Sequence, residues 1–117
     1  MDIKAEMMKK AEAAREASRK LGVLSTGVKN EALMAMADAL EKRGSLILTA
    51  NAQDLEDARQ KGLKRSYLDR LMLNETRIAQ MAEGLRQTAS LPDPVCQGDY
   101  STIRPNGLEI RRVRVPI

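Results

Sequence analysis

Residues 74–94 read NETRIAQMAEGLRQTASLPDP, and this stretch decides the fold class. Asn74 can accept hydrogen bonds from the N–H groups of a first helical turn, and Glu75 complements the helix dipole there. Apolar residues then recur every three or four positions, the spacing of one helix face: Ile78, Met81, Ala82, Leu85 and Ala89. Prolines at 92 and 94 forbid continuation. The stretch predicts a helix that ends near residue 91.

The start of the chain shows the same periodicity. Apolar residues recur from Ile3 to Leu21, so we expect a long first helix with one buried stripe, ended by Gly22. Ser25 or Thr26 is the expected N-cap of a second helix. The chain has no Phe and no Trp, so Ala and aliphatic side chains must build the core.

The middle of the chain is harder to interpret. Gly44 is expected to end the second helix, while the apolar run 46–48 is too short to assign by periodicity alone. Asn51 and Asp54 have the spacing of a capping box, so Asn51 is predicted to open a third helix that runs towards Gly62. A further short segment follows at 64–71.

Beyond residue 94 the sequence changes to β-type. Asn106-Gly107 separates two runs rich in strand-forming residues, 100–103 and 108–115, which predicts a hairpin. Leu108 and Val113 fall on opposite faces of the second strand, so this strand has no single apolar face. We therefore expect either a bulge near Arg111-Arg112 or a change of environment along the strand.

These patterns predict a mainly α chain of about five helices followed by a C-terminal β-hairpin. We expect a helical N-terminal region over 1–94 and a hairpin arm over 95–117. No apolar run approaches the roughly 20 residues that span a bilayer, and the first 21 residues lack a signal-peptide pattern. The sequence therefore favours a cytoplasmic protein without a membrane partner.

The composition excludes several kinds of site. The chain has no His, the commonest general base and metal ligand, and its seven glycines form neither a phosphate loop nor a dinucleotide fingerprint. The single cysteine, Cys96, lies in a proline-rich loop without a His to act as its base, so we interpret it as structural or incidental. We predict no catalytic, cofactor-binding or metal-binding residue in this chain.

Most of the net charge of +4 lies near the end of the chain. Five charged residues there sum to +3: Arg104, Glu109, Arg111, Arg112 and Arg114. No aromatic residues interleave with them, so a solvated or subunit-contacting strand is favoured over a nucleic-acid interface.

Several strings, in order, resemble the N-terminal region of the γ-glutamyl phosphate reductase family, within the aldehyde dehydrogenase superfamily. They are Ala50-Asn51-Ala52-Gln53-Asp54-Leu55, Gly62-Leu63, Leu68-Asp69-Arg70-Leu71-Met72-Leu73-Asn74-Glu75-Thr76-Arg77-Ile78, Leu91-Pro92-Asp93-Pro94-Val95, Arg104-Pro105-Asn106-Gly107-Leu108 and Arg114-Val115-Pro116. The family usually has glycine near the position of Cys96, which supports an incidental thiol.

The resemblance implies a parent α/β enzyme in which NADPH reduces γ-glutamyl phosphate to glutamate-5-semialdehyde, with release of phosphate, in proline biosynthesis. Its nucleophilic cysteine and its Rossmann-like cofactor domain would follow residue 117, so NADPH would bind outside this chain and the fragment alone would be inactive. The resemblance also implies a homo-oligomer in which the hairpin forms an arm towards a neighbouring subunit.

The sequence leaves two alternatives open. Family membership makes a site-lining role conceivable for Asn51 and Arg70, although a helix cap and a helix-surface charge are simpler interpretations. The alternative to a reductase fragment is an independent helical interaction protein with a basic C-terminal strand.

Overall fold

The computed structural model describes residues 2–117 and contains five helices followed by a two-stranded hairpin. The elements are α1 (Ile3–Leu21), α2 (Thr26–Lys42), α3 (Gly44–Gln60), α4 (Arg65–Leu71), α5 (Glu75–Ser90), β1 (Gly98–Ile103) and β2 (Glu109–Val113). This confirms the predicted fold class, mainly α with a C-terminal hairpin.

Two helix starts form as their sequences predict. The Ser25 hydroxyl accepts a hydrogen bond from the Val28 N–H at 3.3 Å, so Ser25 caps α2. The Asn74 side chain accepts from the Arg77 N–H at 2.8 Å and caps α5. Each cap satisfies one N–H group that a first helical turn leaves without a partner.

The start of α3 differs from the prediction. The helix begins at Gly44, directly after a single turn residue, Arg43, and the run 46–48 is helical. Asn51 lies in the helix interior and is only 7% exposed, so the predicted capping box was wrong. The physical reason is that the Asn51 side chain binds the backbone of a distant segment instead of its own helix.

The contacts divide the chain into two compact units. One unit combines the residues up to 28 with 92–117, and the other is 29–91. The grouping places α1 with the hairpin, whereas the sequence suggested a boundary at residue 94. In the second unit, a small apolar core forms where α2, α3 and α5 meet; its buried residues are Ala37, Ala58, Ile78 and Ala82.

The apolar stripe of α1 is not buried. Ile3 and Met7 are 70% and 58% exposed, and the helix has no buried residue. The expectation of a buried stripe was therefore wrong for residues 2–117, since α1 has no buried residue there. Periodicity identified the helix but not its environment.

The hairpin has the predicted turn. Gly107 adopts a φ of 87°, which L-residues with a side chain rarely tolerate. The Asn106 side chain accepts from the Leu108 N–H at 3.1 Å, and the Arg104 N–H donates to the Leu108 carbonyl at 2.8 Å. The Asn-Gly signal was therefore sufficient to place the turn.

The bulge lies on the opposite strand from the predicted position. The register shifts between Gly98 and Tyr100, so the extra residue is Asp99 on β1, whereas β2 stays regular at Arg112. The Arg112 guanidinium donates to both Asp99 carboxylate oxygens, at 2.7 and 2.9 Å. These hydrogen bonds hold the pKa of Asp99 below its ordinary value.

Candidate functional site

The most constrained polar cluster surrounds residues 72–74, which we name the α4–α5 connection. Asn51 reaches it from α3: its amide nitrogen donates to the Leu71 carbonyl at 2.8 Å, and its amide oxygen accepts from the Leu73 N–H at 2.8 Å. Asn51 is the one buried polar residue among residues 2–117. It satisfies a carbonyl at the end of α4, a position that intrahelical hydrogen bonds leave without a partner.

Arg77 holds the same connection from α5. Its guanidinium donates to the Asp69 carbonyl and, at 2.6 Å, to the Met72 carbonyl. A second guanidinium nitrogen lies 3.5 Å from the Asp69 carboxylate. A cation at the last carbonyls of a helix is favoured by the helix dipole. Asn51 and Arg77 together fix the path between α4 and α5.

The side chains of this cluster mainly orient the backbone, because their hydrogen bonds go to carbonyl and N–H groups of the main chain. Both ends of the Asn51 amide are engaged by backbone groups, which satisfies its hydrogen bonding in a buried position. Arg70, the other residue for which a site-lining role is conceivable, lies exposed on α4. A site-lining role for Asn51 or Arg70 therefore stays the conceivable alternative that family membership suggests.

A second polar cluster joins α2 to α5. Arg86 donates to both Glu41 carboxylate oxygens, at 3.0 and 2.7 Å, and to Asp38 at 3.1 Å. The hydrogen bonds from Arg86 hold the pKa of Glu41 below its ordinary value. Sequence analysis missed this cluster because Arg86 is 45 and 48 positions from its partners.

An apolar groove of about 760 Å³ lies between α2, α3 and α5 in the unit formed by 29–91. We name it the α2–α3–α5 groove. Its walls are almost entirely aliphatic, and the principal lining residues are Met36, Leu40, Leu46, Ile47, Met81 and Leu85. Arg43, Thr88 and Gly84 also line the groove.

Cys96 is exposed and has a φ of 64°. Its N–H donates to the Arg114 carbonyl at 2.9 Å, which holds the residue in this left-handed conformation. A glycine adopts such a φ without steric cost. The left-handed backbone at Cys96 therefore suits glycine better than a residue with a side chain.

We expect Cys96→Gly to stabilise the hairpin or leave it unchanged. The substitution removes roughly 1 kcal/mol of left-handed strain, partly offset by the greater freedom of glycine in the unfolded chain. Thermal unfolding of this variant beside Cys96→Ala checks it. The glycine variant should be the more stable of the two, and the reverse order would mean that the left-handed backbone is not strained.

Residues 2–117 offer neither a metal-binding cluster nor a membrane-spanning helix. No group of three or more acidic, Cys or His side chains there could hold a metal ion. None of the helices there combines the length and the apolar character that crossing a membrane requires.

Several known proteins that are similar to this chain are the same enzyme. The chain is 54% identical, over all 117 residues, to the γ-glutamyl phosphate reductase of Moorella thermoacetica and 52% identical, again over 117 residues, to that of Heliobacterium modesticaldum. The chain matches the N-terminal region of γ-glutamyl phosphate reductase. It spans about 28% of the length of these curated relatives. No protein-family model matches it.

Solved structures agree with the sequence relatives. The γ-glutamyl phosphate reductase of Thermotoga maritima superposes with a TM-score of 0.88 at 42% identity, over 95% of this chain and 27% of that one. The reductase of Saccharomyces cerevisiae superposes with a TM-score of 0.79 at 30% identity, over 91% of this chain and 27% of that one. The helical region and hairpin are therefore similar in fold to a part of these reductases.

Proposed function

We propose that this chain is the N-terminal helical and arm region of a γ-glutamyl phosphate reductase, an oxidoreductase of proline biosynthesis. The observation that carries the proposal is the identity of 54% over the full 117 residues, together with a structural superposition that covers 95% of the chain. Both similarities include the helices and the hairpin, so a match limited to one common motif cannot account for them.

In the proposed reaction, γ-glutamyl phosphate is reduced to glutamate-5-semialdehyde and phosphate is released. NADPH would supply the hydride, and both its binding site and the cysteine nucleophile would lie in the part of the reductase outside residues 1–117. The residues of this chain would contribute indirectly. Asn51 and Arg77 would keep the α4–α5 connection rigid, so that any group packed against it has a fixed position.

The hairpin is proposed to contact a second subunit of a homo-oligomer. Large apolar residues on both strands are exposed, Ile103 at 72% and Val113 at 52%. An isolated two-stranded ribbon buries too little surface to be stable in water. Pairing with another subunit would cover these residues and satisfy the open strand edges.

A chimeric reductase tests the proposal in cells. In this chimera, residues 1–117 replace the corresponding segment of the T. maritima enzyme, to which they are 42% identical. It is expressed in a bacterium that requires proline because its own γ-glutamyl phosphate reductase is deleted. We expect growth without proline. A soluble, folded chimera that does not support growth would contradict the proposal.

The chain on its own is expected to bind no NADPH and to catalyse no reduction. The reason is chemical: it has no His and no glycine-rich phosphate loop, and its one thiol is exposed in a left-handed turn. Isothermal titration with NADPH, using the chimeric reductase as a positive control, checks this. Saturable binding to the isolated chain would show that part of the cofactor site lies within residues 1–117.

The alternative function, an independent helical interaction protein with a basic C-terminal strand, is not favoured. It would leave the end-to-end similarity to one enzyme family without an explanation. Two of the three arginines near the end of the hairpin also have acidic partners, since Arg111 pairs with Glu109 and Arg112 with Asp99. This pairing reduces the positive charge that a nucleic acid would meet.

A further inference from the structure

Large apolar side chains that line the α2–α3–α5 groove are exposed to solvent. Met36 on α2, Leu46 on α3 and Met81 on α5 are 53%, 67% and 46% exposed, and all three line the groove. Contiguous exposed apolar patches of this kind mark surfaces that another group covers.

Gly84 gives a second, independent observation. It lies in the interior of α5 and lines the groove, and a Cβ added there would meet nothing within 4 Å. Glycine in a helix interior costs about 1 kcal/mol relative to alanine. The contacts of residues 2–117 give no reason for this glycine, whereas close approach of another backbone to α5 would give one.

We propose that the groove is the seat of a further segment of the same reductase polypeptide, which crosses α5 at Gly84. This inference rests on the proposed function. The curated relatives contain this chain as about 28% of their length, so most of their polypeptide is available to supply an apolar segment. The occupant presents aliphatic side chains to the groove, since its walls offer almost no hydrogen-bonding groups.

The direction in which Gly84→Ala changes the unfolding temperature of the chimeric reductase tests this inference. In an open groove, Gly84→Ala would raise the unfolding temperature, because alanine favours the helix and its methyl group meets nothing. With a backbone packed there, the same methyl group would clash. We expect Gly84→Ala to lower the unfolding temperature by roughly 1–3 °C and Gly84→Leu by roughly 5 °C or more.

The matched control is Glu83, the exposed neighbour of Gly84 on α5, which does not line the groove. Glu83→Ala and Glu83→Leu should change the unfolding temperature little.

A second variant, Leu46→Lys, replaces a leucine that is 67% exposed in this chain. It should be harmless in an open groove and should lower the unfolding temperature by roughly 5 °C in a covered one, because a buried unpaired charge is costly.

The outcomes separate the two proposals. An active parental chimera with the expected losses at Gly84 and Leu46 supports the groove inference. An active parental chimera in which Gly84→Ala is neutral or stabilising overturns it. If Gly84→Leu instead splits the oligomer into stable, active monomers, the occupant is a second copy and the inference is wrong. An inactive but folded parental chimera would contradict the proposed function itself.

Discussion

Asn51→Leu in the chimeric reductase is expected to destabilise the backbone of the α4–α5 connection. The leucine leaves the Leu71 carbonyl and the Leu73 N–H without partners in a site that is 7% exposed. Each unsatisfied buried group costs about 1–3 kcal/mol. Hydrogen exchange by mass spectrometry measures the consequence. Peptides that contain residue 73 should exchange about 30-fold faster or more, which corresponds to about 2 kcal/mol.

Gln53→Leu is the matched control for this substitution. Gln53 also carries an amide on α3, but its side chain is exposed and donates only to Asp57 within the same helix, at 2.9 Å. Its replacement should leave exchange at residue 73 unchanged. If Asn51→Leu and Gln53→Leu behaved alike, the amide of Asn51 would not be what holds the connection.

Arg77→Met is expected to unravel the end of α4. Methionine keeps an apolar stem of similar length but cannot donate to the Asp69 and Met72 carbonyls. Hydrogen bonds from charged donors contribute about 1.5–3 kcal/mol, so amides in 65–72 should exchange about tenfold faster or more. Arg77→Lys should recover only part of the loss, because one ammonium group does not reproduce the planar fork of a guanidinium.

Arg59→Met controls for the loss of an arginine. Arg59 lies on α3 and makes one exposed ion pair with Glu56, at 3.6 Å, a kind of contact that contributes little. Hydrogen exchange in 65–72 should not change in this variant.

Because Asn51 and Arg77 hold the same connection, the double variant should lose less protection from hydrogen exchange, expressed as free energy, than the sum of the two single losses. Strict additivity would show that the two side chains act on separate segments.

The sequence predicted correctly those helix ends and turns that are stabilised by hydrogen bonds between residues close together in the chain. Asn74 and the prolines after residue 91 defined α5, and Asn106-Gly107 defined the hairpin turn, because caps and turns bind backbone groups a few residues away. The spacing of Asn51 and Asp54 is as compatible with a helix interior as with a helix start. What distinguishes the two is the bond to Leu73, 22 positions along the chain, which no local pattern reveals.

The environment of each helix face was less predictable than the helix itself. The stripe from Ile3 and the groove residue Met81 both follow helical spacing, yet both are exposed within residues 2–117. Periodicity shows which side of a helix is apolar and gives no information about what covers it. The resemblance to a reductase family explains how such sides could be covered, since the relatives are several times longer than this chain.

The rate of the purified chimeric reductase tests the central claim most directly. The assay follows NADP⁺ reduction with glutamate-5-semialdehyde and phosphate, the reverse of the proposed reaction. If residues 1–117 are the N-terminal region of such a reductase, kcat/KM should be within about tenfold of the T. maritima parent, and omission of phosphate should abolish it. A chimera with the parental oligomer mass and helix content but a rate lower by about a thousandfold or more would contradict the claim.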